Sequence, residues 1–154
     1  MDSAWEETQR VSLELPRSFH LILRHTADSL LAYRPSAAIL RIGLLEMSSF
    51  TLEFFPDASP ETFSHHSAGV ADLITTSFGG RNRKCAEAFV KTGKTFDELE
   101  EELLDGQKLQ GTVTTEEIFK FLEARGRIEG YPLFEKVYRI SFEGLDVKSM
   151  FEGL

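Results

Sequence analysis

Asp72, Thr76, Arg81 and Asn82 all lie in one short stretch, Gly69 to Arg83, which reads GVADLITTSFGGRNR. A carboxylate, a hydroxyl, a guanidinium and a side-chain amide set this close together suit a small ligand with hydroxyls at one end and a phosphate at the other. Asp72 and Thr76 are four apart, so a helix puts them on one face. Val70, Leu73 and Ile74 cover its other sides and are expected to pack inward. Gly79 and Gly80 are expected to stop that helix, because glycine takes the left-handed conformation cheaply. The next helix then opens with Arg81 and Asn82. A helix N-terminus presents unpaired N–H groups and a partial positive charge. An arginine placed there makes a seat for a phosphate. The plainer alternative is a glycine cap flanked by solvated charges.

A second polar cluster follows in GQKLQG, Gly106 to Gly111. It carries Gln107, Lys108 and Gln110 in what reads as a loop between two helices, and loops carry function more often than helix faces do. Other reactive residue types are poorly placed. Cys85 is the one cysteine, sits between basic residues and an apolar run, and is expected to be a small core or boundary residue. His20 and His25 are five apart, not the three or four of helical metal pairs, so no metal site is expected. His65 and His66 read as a surface or boundary pair.

Composition narrows the classes. The chain has 154 residues with 42% hydrophobic and 27% charged side chains, enough for a proper core. A net charge of −8 argues against nucleic acid and acidic membranes as partners, so an anion site must be local. A single cysteine permits no internal disulfide and fits a reducing, cytoplasmic setting. No run reaches the ~18 apolar residues that span a membrane, and the N-terminus lacks a signal pattern.

The elements that must position these groups read as helices throughout. Residues 1–35 form a divergent segment, expected to be either disordered or one helix, for which Ser18 to Tyr33 fits, ended by Pro35. Residues 36–154 form the main domain. Ser36 to Phe55 is a strong helix with Ser36 as its cap and Ile39, Ile42, Met47, Phe50 and Phe54 on one stripe. Ser59 and Pro60 open a short piece that ends near Ser67. Arg81 to Lys91 is closed by Gly93. Thr95 and Glu98 form a capping box before FDELEEELL. There Phe96, Leu99, Leu103 and Leu104 make the core stripe, and Glu100 to Glu102 a solvated face. Thr114 to Glu117 supplies a second capping box, Pro132 starts a helix through Ile140, and Asp146 caps a last short one. With no strand alternation and no GxGxxG, the expected fold is an all-α, compact multi-helix domain of about seven helices.

SAAILRIGLLEM, GVADLITTSFGGRNRKCAEAF, LLDGQKLQG and YPLFEKVYRISFEG together resemble the C-terminal domain of eukaryotic-type NAD-dependent glycerol-3-phosphate dehydrogenase, over roughly three-quarters of the chain. The resemblance implies a substrate domain for the interconversion of glycerol 3-phosphate and dihydroxyacetone phosphate with NAD, and a homodimer. It assigns Asp72 and Thr76 to the substrate hydroxyls and to orienting the catalytic lysine. It assigns Arg81 and Asn82 to the substrate phosphate. Arg81, Lys108 and Gln110 match cofactor-contacting positions.

Two departures qualify it. No Lys-Asn pair precedes the LRIG helix, and no lysine occurs before Lys84, so the family's general base has no counterpart here. The dinucleotide-binding Rossmann part is also missing from these residues, and with it the nicotinamide site. Loss of a general base alone typically costs 10²–10⁴-fold, so no turnover is expected of this chain alone. The alternative is a non-catalytic helical module that binds a phosphometabolite or pairs with full-length subunits.

Overall fold

The longest apolar stripe in the sequence becomes the longest of the described helices. In the computed structural model, which describes residues 33–77 and 80–153, α1 runs from Tyr33 to Phe54. Ile39, Met47 and Phe50 are buried, with Ile42 and Phe54 packed against them. Pro35 stands in the first described turn of α1 and does not break the chain, and Ser36 lies inside the helix rather than capping it. A proline is tolerated there because first-turn N–H groups have no intrahelical acceptor to lose. The helix expected from Ser18 falls, up to residue 32, outside the described residues.

After a turn at Pro56, Ser59 Oγ accepts from the Glu61 N–H at 3.2 Å, and α2 (Thr62–His65) follows. A π-helical turn (Ser67–Ala71) then leads into α3 (Asp72–Ser77). Gly69 is required at that turn. A Cβ there would lie 2.1 Å from the Phe63 carbonyl oxygen, so only glycine lets the two segments approach. Helix α4 (Arg81–Thr92) ends at Gly93, whose left-handed backbone (φ 69°) returns its N–H to the Phe89 carbonyl.

Helix α5 (Phe96–Leu104) opens with the expected capping box: Glu98 N–H donates to Thr95 Oγ1 at 3.3 Å, and Thr95 N–H to Glu98 Oε2 at 2.8 Å. Its stripe differs from expectation. Leu103 is exposed and Glu100 is buried among Phe96 and Leu99. Helix α6 (Gln110–Glu123) starts earlier than the sequence suggests, and Gly111 belongs to its first turn. The Thr114–Glu117 capping box therefore does not form. Thr115 is mid-helix, and its Oγ1 donates to the Gly111 carbonyl at 2.8 Å. A short 3₁₀ turn (Ile128–Gly130) precedes α7 (Pro132–Phe142), with Pro132 at the first position as expected. Asp146 caps a closing 3₁₀ segment (Val147–Phe151) by accepting from the Lys148 N–H at 2.9 Å.

Among the described residues there is no strand, and the domain is all-α. Helix α7 packs on both α1 and α6, while α5 packs on α4. Two glutamates of α1 fasten the first of these pairings. Glu46 accepts from the Leu133 and Phe134 N–H groups at 2.8 and 3.0 Å, so it caps α7 from another helix. Glu53 takes a two-pronged bond from Arg127 and a third from Tyr131 Oη at 2.8 Å.

Candidate functional site

The anion seat expected at Arg81 is built from a backbone only glycine adopts. Gly80, the residue before α4, has φ 100° and ψ 172°, a region closed to side chains. It sets the start of α4 and is not a left-handed C-cap of α3, as its place in the sequence suggested. Gly79 lies outside the described residues. The first turn of α4 contains no acidic residue and carries Arg81, Arg83 and Lys84. With helix N–H groups and basic side chains at the same end, the local potential is positive in a chain of net charge −8.

Arg81 is exposed, and its Nη1 donates to Gln107 Oε1 at 2.9 Å, across 26 residues of chain. Asn82 is half-buried. Its amide lies where a Cβ on Gly111 would come within 3.3 Å, so the absent side chain at Gly111 makes room for it. The fold thus brings the RNR segment and the GQKLQG segment together, two clusters separate in sequence. Gln110 is exposed at the first position of α6, next to Gly111. Asp72 opens α3, half-buried beside the buried Leu73, and Thr76 follows one turn later on the same helix. Val70 (36% exposed) and Ile74 (53% exposed) do not pack inward; only Leu73 does. Val70 lies in the π turn before α3, and the six-residue α3 buries one narrow edge at Leu73, which leaves Ile74 exposed.

Lys108 sits between two carboxylates, with its Nζ 2.5 Å from Asp97 Oδ1 and 2.8 Å from Glu100 Oε2. The bonds to Asp97 and then Glu100 hold its ammonium well above the ordinary lysine range. Lys108 lines an open cavity of about 410 Å³ together with Phe96, Asp97, Glu100, Thr112 and Phe142. None of the other candidate residues lines it.

Glu100 and Gln107 are the parts that sequence reasoning undervalued. Glu100 lies four residues after Phe96 and four before Leu104, so helical spacing alone keeps it on the buried stripe; its membership of an acidic run hid that. Cys85 is buried as expected, and its thiol is pushed up by burial and by the Glu100 carboxylate, against the pull of Arg81. A thiol held protonated is inert, which fits a packing role. No cluster of metal-ligating residues occurs among the described residues, and none of the described helices is long and apolar enough to cross a membrane.

Residues 30–152 match the family model described as NAD-dependent glycerol-3-phosphate dehydrogenase C-terminus. The chain is 53% identical over 118 residues to glycerol-3-phosphate dehydrogenase [NAD(+)] 2 of Schizosaccharomyces pombe, covering 77% of this chain and 31% of that protein. It is 50% identical over 119 residues to the human glycerol-3-phosphate dehydrogenase 1-like protein, covering 77% and 34%. The solved glycerol-3-phosphate dehydrogenase of Saccharomyces cerevisiae superposes with a TM-score of 0.73 at 41% identity, covering 93% of this chain and 38% of that one. The chain spans about a third of the length of the curated relatives it matches.

Proposed function

We propose a function from one premise: the chain belongs to the NAD-dependent glycerol-3-phosphate dehydrogenase family, of which it carries the C-terminal domain. In this reading it is the substrate-binding half of an oxidoreductase that interconverts glycerol 3-phosphate and dihydroxyacetone phosphate. Asp72 and Thr76 take the substrate hydroxyls. Arg81 and Asn82 take the phosphate, where an arginine and helix N–H groups face the same side. Arg81, Lys108 and Gln110 take the phosphate end of NAD, which when bound supplies or accepts the hydride. The cations fit that role: Arg81 is exposed, and Lys108 is kept fully charged by its carboxylate partners.

The observation that carries the reading is the joining of Arg81 to Gln107 and of Asn82 to Gly111. These contacts join the segment of the proposed phosphate groups to the segment that carries Lys108 and Gln110, which supports a reading in which a phosphorylated substrate meets a dinucleotide. The 154 residues hold no Lys-Asn pair ahead of α1 to act as base, so the chain alone is expected to bind without turning over.

The test is a thermal melt with and without millimolar dihydroxyacetone phosphate. A ligand that binds only the folded state stabilises it by RT ln(1 + [L]/Kd), about 1.4 kcal/mol at nine times Kd. A rise in wild type that is lost in Arg81→Ala supports the reading. A melt indifferent to the ligand refutes binding by this chain, and NADH oxidation with dihydroxyacetone phosphate refutes its inactivity.

A further inference from the structure

One buried carboxylate ties three parts of the candidate site together. The Glu100 side chain is 3% exposed. Its Oε1 accepts from the Leu109 N–H at 2.9 Å, and its Oε2 lies 2.8 Å from Lys108 Nζ. Thr112 Oγ1 lies 3.3 Å from Oε1, although its one proton is better placed on the Leu109 carbonyl at 2.8 Å. Leu109 is the residue before α6 and offers no side-chain cap. The Glu100 carboxylate from α5 takes the Leu109 N–H itself, as the acid of a capping box does, and sits near the positive end of α6. Burying a carboxylate costs free energy unless it is compensated; here Oε1 accepts the Leu109 N–H and Oε2 is compensated by the Lys108 ammonium as an ion pair.

We infer that Glu100 is a positioning residue: it fixes the Lys108 ammonium and the first turn of α6, and through that turn the Gly111 backbone against which the Asn82 amide sits. Asp97, the other partner of Lys108, takes its hydrogen bond at 2.5 Å from an 84% exposed side chain for which water competes, whereas Glu100 holds its contact from a buried position. The inference rests on the reading of Lys108 and Asn82 as ligand-binding groups, and its test separates the two.

The intact chain is compared with Glu100→Gln, which keeps an acceptor for the Leu109 N–H and removes the charge facing Lys108. The rate of Lys108 acylation by a small amine-directed reagent is read by peptide mass spectrometry. Lys91 and Lys120, each paired with a glutamate one turn away, serve as internal references. Lys108 is expected to react about threefold faster relative to both references, the scale of one partly exposed ion pair. An unchanged ratio overturns the inference. If all three rates rise together the variant has unfolded. Glu100→Asp, one methylene shorter, then takes its place with the same expectation and the same overturning result.

Inorganic pyrophosphate, standing for the cofactor's diphosphate, gives the second readout. Glu100→Gln is expected to weaken its binding about threefold in wild type and to change nothing in a Lys108→Met background. Equal loss in both backgrounds means a merely structural role and overturns the inference, as does tighter binding. If pyrophosphate fails to bind wild type while Lys108 labelling still responds, the positioning stands and the cofactor reading of Lys108 falls.

Discussion

Around Phe50, the rings of Phe54, Phe55, Phe121, Tyr131 and Phe134 stand with centroids 5.0 to 6.3 Å away, in tilted and edge-on arrangements. Met47, Leu122 and Leu133 beside them are fully buried. Around Arg81 the packing is of another kind. The chain passes through a π turn, a six-residue helix and a glycine-only backbone. Ile74 and Arg81 are exposed, and the neighbouring segment is held by single polar contacts. The α1–α6–α7 half is closed by apolar area and buried aromatic contacts. The α3–α4 half gives Leu73, Cys85 and Ala86 to the core and stacks Phe89 on Phe96 at 4.4 Å, yet it leaves Ile74 and Arg81 exposed at its surface. Stability and ligand chemistry therefore reside in different residues, and each can be broken without the other.

The largest effect is expected in the packed half. Phe50→Ala removes the ring that all five neighbours share and leaves a cavity, at a cost of about 3–5 kcal/mol in denaturant unfolding. The folded fraction should bind dihydroxyacetone phosphate as wild type does. A loss below ~1 kcal/mol would mean that the cluster repacks and that the contrast between the halves is weaker than the geometry states.

The next effect is a pH dependence confined to the same half. Burial pushes the Glu46 carboxyl up to about 7, against the pull of the Leu133 and Phe134 N–H groups. Unfolded, it titrates near 4.5. Between those values the folded state holds the extra proton. This contribution to stability is thus fully present below pH 4.5 and lost as the pH rises through 7. The stability of wild type should fall by on the order of 2–3 kcal/mol between pH 5 and pH 8 relative to Glu46→Gln. The substitution removes the titration and leaves the general charge of the chain nearly unchanged. Parallel pH curves for the two proteins would refute it.

The third test crosses to the other half. Arg81→Ala should shift stability by no more than about 0.5 kcal/mol, as exposed positions do. The bond lost to a bound phosphate is of the charged kind, about 1.5–3 kcal/mol, or roughly tenfold to a hundredfold in affinity. Gly111→Ala probes the same seat from behind. The new methyl meets the Asn82 amide at 3.3 Å and should push it from its place. Alanine's better helix propensity, up to about 1 kcal/mol, offsets that crowding in the melt. Stability close to wild type with weakened ligand binding is the expected pair of results, measured by calorimetric titration.

The two halves were also unequally legible in the sequence. The apolar stripe of α1, the Thr95–Glu98 capping box, Pro132 at the start of α7 and the Asp146 cap are local signals, and the structure contains all of them. What the sequence hid were contacts between elements. Glu46 capping α7 spans 87 residues and Arg81 bonding Gln107 spans 26, distances over which no spacing rule reaches. Glu100 was hidden differently, by two acidic neighbours that made a buried position look solvated. The Thr114–Glu117 box failed for a third reason: α6 already begins at Gln110, where the preceding Leu109 N–H is held by Glu100, so Thr114 lies inside the helix.

The smallest effect makes the sharpest comparison, since it sets neighbours on one helix against each other. Leu73 is buried and Ile74, the next residue, is 53% exposed. A sequence that alternates so abruptly reads as uniformly apolar, and both were expected inside. Ile74→Ser removes apolar area that already faces water, and unfolding should change by less than about 0.5 kcal/mol. Leu73→Ala should cost about 2–5 kcal/mol in the same buffer. A cost above ~1 kcal/mol for Ile74→Ser, growing with protein concentration, would show that a second surface covers this face. The α3 half would then be a packed region after all, with its apolar partner supplied from outside the described residues.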